Sequence, residues 1–304
     1  MKFTLKDYQE EAVKEVLDRL HKARKRWRQD GDRHSFALSA TTGAGKTVMA
    51  AAVFEALFYG HDEYDFEPDP GAVVIWFSDD PSLNTQSMWR LQEASDKLTV
   101  SDFVTIENTF NRDKLEAGKI YFLNTQKLGK NSLLVRGHDP DGAKDGQPRL
   151  MPDARAFTIW DIIQNTIESP DLTLYLVLDE AHRGMKESRA TGGDARPTII
   201  KQLINGTGSV PGIPIVWGIS ATVDRFTKAM EGAKGRDSLS NVVVDAKKVQ
   251  ESGLLKDTII LDVPDEDGNF ATVLLRRGAD KLKQITAAWA DYAKAQDSGE
   301  TVLP

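Results

Sequence analysis

Cysteine is absent from the 304 residues, which excludes a disulfide framework, a thiolate zinc site and a cysteine nucleophile. Histidine is scarce. His21, His34, His61, His138 and His182 are scattered along the chain, without the spacing of a transition-metal site. No apolar run approaches the ~20 residues that a membrane helix needs; the longest are strand-sized, such as Leu174 to Leu178. The N-terminus turns acidic at once and has no apolar core segment, so no signal peptide is read there. Positive charge is in short supply too: 39 Lys and Arg against 46 Asp and Glu leave a net charge of -7. That argues against a surface coated in positive charge for non-specific DNA binding, though not against a local basic track. A reducing, cytoplasmic setting with no membrane partner is the expectation.

What is present is an alternation of strands and helices. Residues of the AVILMFWYC set make up 40% and charged residues 28%, which fits a globular chain rather than a disordered one. Leu5, Tyr8, Ala12, Val13, Val16, Leu17 and Leu20 recur at helical spacing, so a helix is expected from Leu5 to about Arg28. Apolar runs predict strands at Ser35–Ser39, Ala72–Phe77, Lys119–Leu123, Leu174–Leu178, Ile213–Ile219 and Asn241–Val244. Helical patterns fall at Lys46–Tyr59, Asn84–Leu98, Thr158–Glu168 and Pro197–Ile204. Strands that are apolar throughout and separated by helices indicate an α/β fold with a mainly parallel sheet flanked by helices. Residues 136–152 and 184–196 read as polar surface insertions. The first of them opens like a calcium loop, but Ala143 and Leu150 occupy positions where ligands belong. Near the C-terminus, Asp257–Val263 and Phe270–Leu275 flank a turn and predict a hairpin, followed by a helix from Ala279 to Ala295.

Three short segments carry chemistry. Ala40-Thr-Thr42-Gly43-Ala44-Gly45-Lys46-Thr47 fits the phosphate-binding loop, with Ala40 in place of the first glycine. The glycines let backbone N–H groups turn toward phosphate oxygens. Lys46 supplies charge to the β/γ-phosphates, and Thr47 offers a hydroxyl to Mg²⁺. The predicted strand before the loop and helix after it put a helix N-terminus at the anion. The second segment is the apolar strand ending in Asp179-Glu180-Ala-His182. Carboxylates at the C-terminal edge of an open α/β sheet lie where its ligands bind. Asp179 is expected to hold Mg²⁺ and Glu180 to orient or deprotonate the attacking water. The third is Ser220-Ala-Thr222, again after an apolar strand, which alone is uninformative.

Together, in this order and spacing, the segments resemble motifs I, II and III of superfamily 2 helicases and translocases. Phrases such as Trp76-Phe-Ser-Asp79, Trp160-Asp-Ile-Ile163 and Glu251-Ser-Gly-Leu-Leu-Lys-Asp257 look like the branch that holds the Res subunits of type III restriction enzymes. The likeness runs from about Leu5 to the C-terminus. It implies a RecA-like P-loop NTPase lobe using ATP and Mg²⁺, with Leu5-Lys-Asp-Tyr8-Gln9 as an adenine-recognition element. By this resemblance Gln9 hydrogen-bonds adenine, and His182 couples the nucleotide site to Ser220 and Thr222. The Arg183-Gly184 that follow His182 depart from the pattern of DEAH-box RNA helicases.

The resemblance also implies nucleic-acid contact through loops at the strand ends, which positions without reading sequence. Thr125 and Gln126 are the candidates; Ser78 is followed by Asp79 and Asp80, whose charges repel phosphate. The run Lys22, Arg24, Lys25, Arg26 and Arg28 reads as a solvated helix end complementing the dipole. The Trp residues are expected mainly to pack the core. No second-lobe arginine motif follows Thr222, and Thr301-Val-Leu-Pro304 looks like the start of a further strand. The expected division is therefore a helicase ATP-binding domain over 1–263 and a hairpin-helix connector over 264–304, leading toward a second RecA-like lobe. Such a fragment is expected to bind ATP–Mg²⁺ weakly and turn it over poorly. Double-stranded DNA and a modification (methyltransferase) subunit are the implied partners. An RNA helicase lobe and a nucleotide-dependent protein-binding module are the alternatives.

Overall fold

The computed structural model describes residues 1–129, 132–136, 155–179, 198–208, 210–230, 233, 235–254 and 270–295. It opens with helix α1 (Asp7–Asp30), whose buried positions Tyr8, Ala12, Val13, Val16, Leu17 and Leu20 follow the helical period read from the sequence. Gly31, at φ 74°, ends it by donating its N–H to the Trp27 carbonyl. Strand β1 (Arg33–Ser39) leads to α2 (Lys46–Tyr59), a helix apolar on nearly all sides and buried accordingly. Then come β2 (Ala72–Ser78), α3 (Pro81–Ala94), the short β3 (Phe103–Thr105) and β4 (Lys119–Asn124). Helix α4 (Ile159–Glu168) starts on a capping box, with the Thr158 N–H donating to Asp161 and the Asp161 N–H to the Thr158 hydroxyl. The chain continues through β5 (Thr173–Asp179), α5 (Ile199–Asn205), β6 (Ile215–Ser220) and α6 (Val223–Met230). The last strands are β7 (Arg236–Ser238) and β8 (Val242–Val243), followed by α7 (Ala246–Glu251).

The strands form one sheet in the order β3-β4-β2-β5-β6-β1-β7, with β8 also on β1. Every pairing is parallel. Strand β7 pairs with the start of β1 and β8 with its end, so the two share one edge. Side chains alternate between two cores. On one face Trp76, Phe122 and Trp217 meet α1 and α2; on the other Ile75, Phe77, Tyr121 and Leu176 meet α4 and α5. Phe54 of α2 packs edge-to-face on both Trp76 and Trp217, with each pair of ring centroids 6.0 Å apart.

The predicted strands before residue 240 are all present within a few residues. Residues 241–244 keep only a short bridge-like pair, because the chain there fills out an edge that β7 has already begun. Strand β3, three residues long, is too short to show in the hydropathy pattern, and β7 is both short and polar. Trp76, Trp160 and Trp217 are core residues as expected, whereas Trp89 is 64% exposed.

The chain divides into Met1–Leu255 and Lys256–Pro304. In the second unit the described part is helix α8 (Phe270–Ala295). Phe270–Leu275 was expected to be the second strand of a hairpin; instead it forms the first turns of α8, where Leu274, Leu275, Arg276 and Arg277 supply good helix formers. Its expected partner, Asp257–Val263, lies outside the described residues. Leu275, Leu282, Ile285, Trp289 and Tyr292 are exposed along α8.

Candidate nucleotide site

Three adjacent strands, β5, β6 and β1, run parallel and end together. Ser39 pairs in register with Ser220, and Asp179 with Ile219. Adjacent parallel strands lie about 4.8 Å apart, so the ends of β1 and β5 flank the end of β6 within a few ångströms. The loop after β1, Asp179 at the end of β5 and the Ser220–Thr222 turn at the end of β6 therefore share one edge of the sheet.

The loop is held from below and from the side. The Ala40 N–H donates to the Ser220 carbonyl at 3.1 Å. Ala40 is buried in the core, so its methyl packs where the loop pattern allows a glycine. Gly43 and Gly45 take φ values of 90° and 79°, which side-chain-bearing residues adopt at a cost. From Gly45 the chain enters α2 at Lys46, so its first N–H groups open toward the loop. The Lys46 ammonium folds back onto the carbonyls of Ala40 and Thr41, at 3.0 and 3.4 Å. Thr42 and Gly43 are exposed, and Thr47 is half-buried at the head of the helix.

Gln9 and Tyr8 reach this loop from α1. The Tyr8 hydroxyl and Gln9 Nε2 both donate to the Ala44 carbonyl, each at 3.0 Å. Gln9 Oε1 accepts the Lys6 N–H at 3.0 Å. Burial pushes the Tyr8 phenol above its ordinary range and keeps it a donor.

At the end of β5 the Asp179 carboxylate accepts a hydrogen bond from the Ser87 hydroxyl of α3, at 3.1 Å. Glu180 and His182 lie outside the described residues. Ser220 is buried, and its hydroxyl oxygen lies 3.4 Å from the Thr222 N–H that donates to it; Thr222 itself is exposed. Two residues before Ser220, a β-carbon on Gly218 would sit 2.1 Å from the Phe226 ring of α6. A glycine there lets α6 pack against the strand.

The edge continues past β2 and β4. Ser78 is buried and donates to Asn84 Oδ1 at 2.7 Å, so it faces inward and not toward a ligand. The Thr125 hydroxyl donates to Asp79 Oδ1 at 2.7 Å, and Gln126 beside it is exposed. Of the basic run at the end of α1, Arg24 is half-buried, and Arg28, though exposed, is paired as well. They face buried Asp69 at 3.9 and 3.2 Å, and Arg28 Nη2 also donates to Thr173 at 2.8 Å. Arg26 donates to His34. These arginines tie α1 to the sheet because the helix ends over its N-terminal edge; of the run only Arg24 is half-buried, and Lys22, Lys25, Arg26 and Arg28 are exposed.

Two residues that the sequence did not single out, Asn84 and Ser87, are buried on α3. Their signal was their spacing: 84, 87 and 91 lie on the inward face of a helix, and only Leu91 is apolar.

A magnesium ion fits the donor set at this edge. Thr47 and Asp179 offer hard oxygen ligands, and among the described residues there is no group of three His, Cys, Asp or Glu that would build a protein-only cage. Magnesium is ordinarily held in this sparse way, by one or two protein oxygens together with substrate phosphates.

A parallel sheet whose phosphate loop and acidic strand end share one edge defines a P-loop NTPase lobe of the RecA-like, helicase type. The family model described as "Type III restriction enzyme, res subunit" matches residues 2–225, and the chain belongs to that family. No curated protein matches it. Solved structures it is similar to include Dbp5 of S. cerevisiae bound to RNA and ADP BeF3, at 15% identity over 77% of this chain and 50% of that one, with a TM-score of 0.38. The UvsW helicase from bacteriophage T4 matches at 13% identity over 78% and 60% of the two chains, with a TM-score of 0.38. A nuclease-deletion mutant of the type ISP restriction-modification enzyme LlaGI, in complex with a DNA substrate mimic, matches at 16% identity over 83% and 21%, also at 0.38. The chain thus spans 60% or less of the length of each of these structures.

Proposed function

We propose that residues 1–263 form the N-terminal ATP-binding and hydrolysis lobe of a superfamily 2 DNA translocase, in a cytoplasmic type III restriction or related defence system. Residues 264–304 then lead toward a second RecA-like lobe. The observation that carries this reading is the common edge at which β1, β6 and β5 bring the phosphate loop, Ser220 and Asp179 together.

The residues divide the work as follows. Backbone N–H groups of Thr42, Gly43, Ala44, Gly45, Lys46 and Thr47 receive the phosphates, and the Lys46 ammonium leaves the Ala40 and Thr41 carbonyls to join them. Thr47 and Asp179 hold Mg²⁺, which when bound neutralises charge on the β/γ oxygens. Glu180 orients the attacking water, and His182 links that site to Ser220 and Thr222. Gln9 has one Nε2 proton on the Ala44 carbonyl; its second is the one offered to an adenine acceptor. Thr125 and Gln126 meet the backbone of duplex DNA. A methyltransferase subunit supplies the recognition partner.

Lys46→Ala tests the assignment. ATP affinity in titration calorimetry is expected to fall sharply while circular dichroism stays that of the parent; parent-like affinity overturns it. Glu180→Gln in a protein carrying both lobes is expected to bind ATP without turnover. Duplex DNA rather than RNA is expected to stimulate that turnover, and stimulation by RNA alone overturns the DNA assignment.

A further inference from the structure

Helix α3 is fastened by side chains to three neighbouring strand ends. Asn84, 5% exposed, accepts from the Ser78 hydroxyl at the end of β2 and donates Nδ2 to the Leu123 carbonyl of β4, at 2.7 and 2.9 Å. About one turn on, Ser87 donates to Asp179 Oδ2 at the end of β5. A helical serine commonly returns its proton to the carbonyl four residues back. Ser87 directs it across to another element, from a position that is 7% exposed.

A carboxylate on a strand end has two rotatable side-chain bonds, and the hydrogen bond to Ser87 fixes one of its oxygens. Outer hydrogen-bond partners of this kind orient metal ligands and set their affinity. Strands β4, β2 and β5 are consecutive in the sheet, and Asn84 and Ser87 lie on one face of one helix. Whatever moves the ends of β2 and β4 therefore moves the group that holds Asp179. Those same ends lead into Asp79 and Thr125, which are hydrogen-bonded to each other.

We propose that Ser87 is a positioning residue for Asp179, and that Asn84 and Ser87 make α3 a rigid link between the β2 and β4 strand ends and the magnesium-binding carboxylate. The inference rests on the proposed role of Asp179 as a magnesium ligand.

The test is the binding of a fluorescent adenine nucleotide to the whole chain, with Mg²⁺ titrated from none. The parent is expected to bind, and to bind more tightly as Mg²⁺ rises; failure of that result overturns the reading of the nucleotide site itself. Given it, Ser87→Ala is expected to raise the Mg²⁺ concentration at half-effect roughly tenfold and to leave Mg²⁺-free affinity unchanged. Ser87→Thr restores the hydroxyl and is expected to restore the parent value. Ser87→Cys, with similar size and a weak donor, is expected to fall between them and carries the test if the alanine variant does not fold. Asn84→Ala, which removes the link without touching Asp179, is expected to raise the same half-point by a smaller factor. A parent-like Mg²⁺ requirement in both Ser87→Ala and Ser87→Cys overturns the positioning role, as does a shift that Ser87→Thr fails to reverse. An unchanged half-point in Asn84→Ala overturns the link to the strand ends.

Discussion

Gln9 lies so close to Gly45 that a β-carbon on the glycine would meet Gln9 Nε2 at 2.5 Å. Gly45 also has φ 79°, so two independent constraints act on one residue of the phosphate loop: its backbone conformation and the side chain laid against it. The glutamine of α1 is thereby part of the loop's scaffold, since its Nε2 and the Tyr8 hydroxyl share the Ala44 carbonyl.

Gly45→Ala is accordingly expected to displace Gln9 and to weaken nucleotide binding regardless of the base. Gln9→Ala separates the two roles of the glutamine. Loss of scaffold alone lowers affinity for ATP and GTP by the same factor. Loss of adenine recognition lowers it for ATP alone. Parallel titrations with the two nucleotides, read beside the thermal midpoint, distinguish these outcomes.

Gly218 makes a prediction of the same kind at the Ser220–Thr222 turn. Its absent side chain is the space in which the Phe226 ring sits. Gly218→Ala is expected to push α6 from the sheet and cost about 1–3 kcal/mol, the usual range for overpacking a core. A denaturant midpoint lowered with an unchanged slope checks this. Phe226→Leu in the same chain is expected to recover part of the loss, because the smaller side chain leaves room for the methyl.

Much of this site was legible in the sequence. The phosphate loop and the acidic strand end have fixed residue types at fixed spacing, and continuously apolar runs such as Leu174–Leu178 announce parallel strands. What stayed hidden was set by contacts distant in sequence. Nothing near Ser87 signals that its hydroxyl meets Asp179, and nothing near Arg28 signals Asp69, 41 residues on. The turn toward Phe270–Leu275 was misread for a local reason: its apolar residues suit either strand or helix, and only continuity with the helical segment beyond decides between them.

His34 gives a pH dependence. It is fully buried at the start of β1, with Nδ1 3.1 Å from the Asp32 carbonyl and Nε2 3.2 Å from Arg26 Nη1. These partners suit a neutral ring that donates from Nδ1 and accepts at Nε2. Burial first, and the Arg26 charge next, lower its pKa below the ordinary 6.5, against the opposing pull of Asp237 and Asp32. The unfolded chain therefore binds the proton more readily than the folded one. Stability is full above the unfolded value and is lost as pH falls from about 6.5 toward the folded pKa. Urea midpoints at about pH 8 and about pH 5.5 are expected to differ less in His34→Asn, whose side-chain amide keeps a donor for the Asp32 carbonyl. An equal drop in both proteins removes His34 from the acid response.

The arginines at the end of α1 predict a separation between stability and nucleic-acid binding. Asp69 is 2% exposed and accepts from the Tyr175 hydroxyl at 2.8 Å as well as from Arg28. Removing Asp69 strands two guanidinium groups beside a phenol whose pKa burial already raises well above its usual range. Because Arg28 is partly exposed, water recovers some of that loss. Asp69→Ala is still expected to cost about 3 kcal/mol, the lower figure for breaking a buried pair, and Arg28→Ala a smaller part of it. Lys22→Ala and Lys25→Ala, on exposed side chains, are expected to stay within about 0.5 kcal/mol of the parent. If this end of α1 is structural, Arg24→Ala and Arg28→Ala lower the denaturant midpoint and leave duplex-DNA affinity at fixed salt unchanged in the full protein. A loss of DNA affinity with the midpoint intact would instead make the helix end a contact surface.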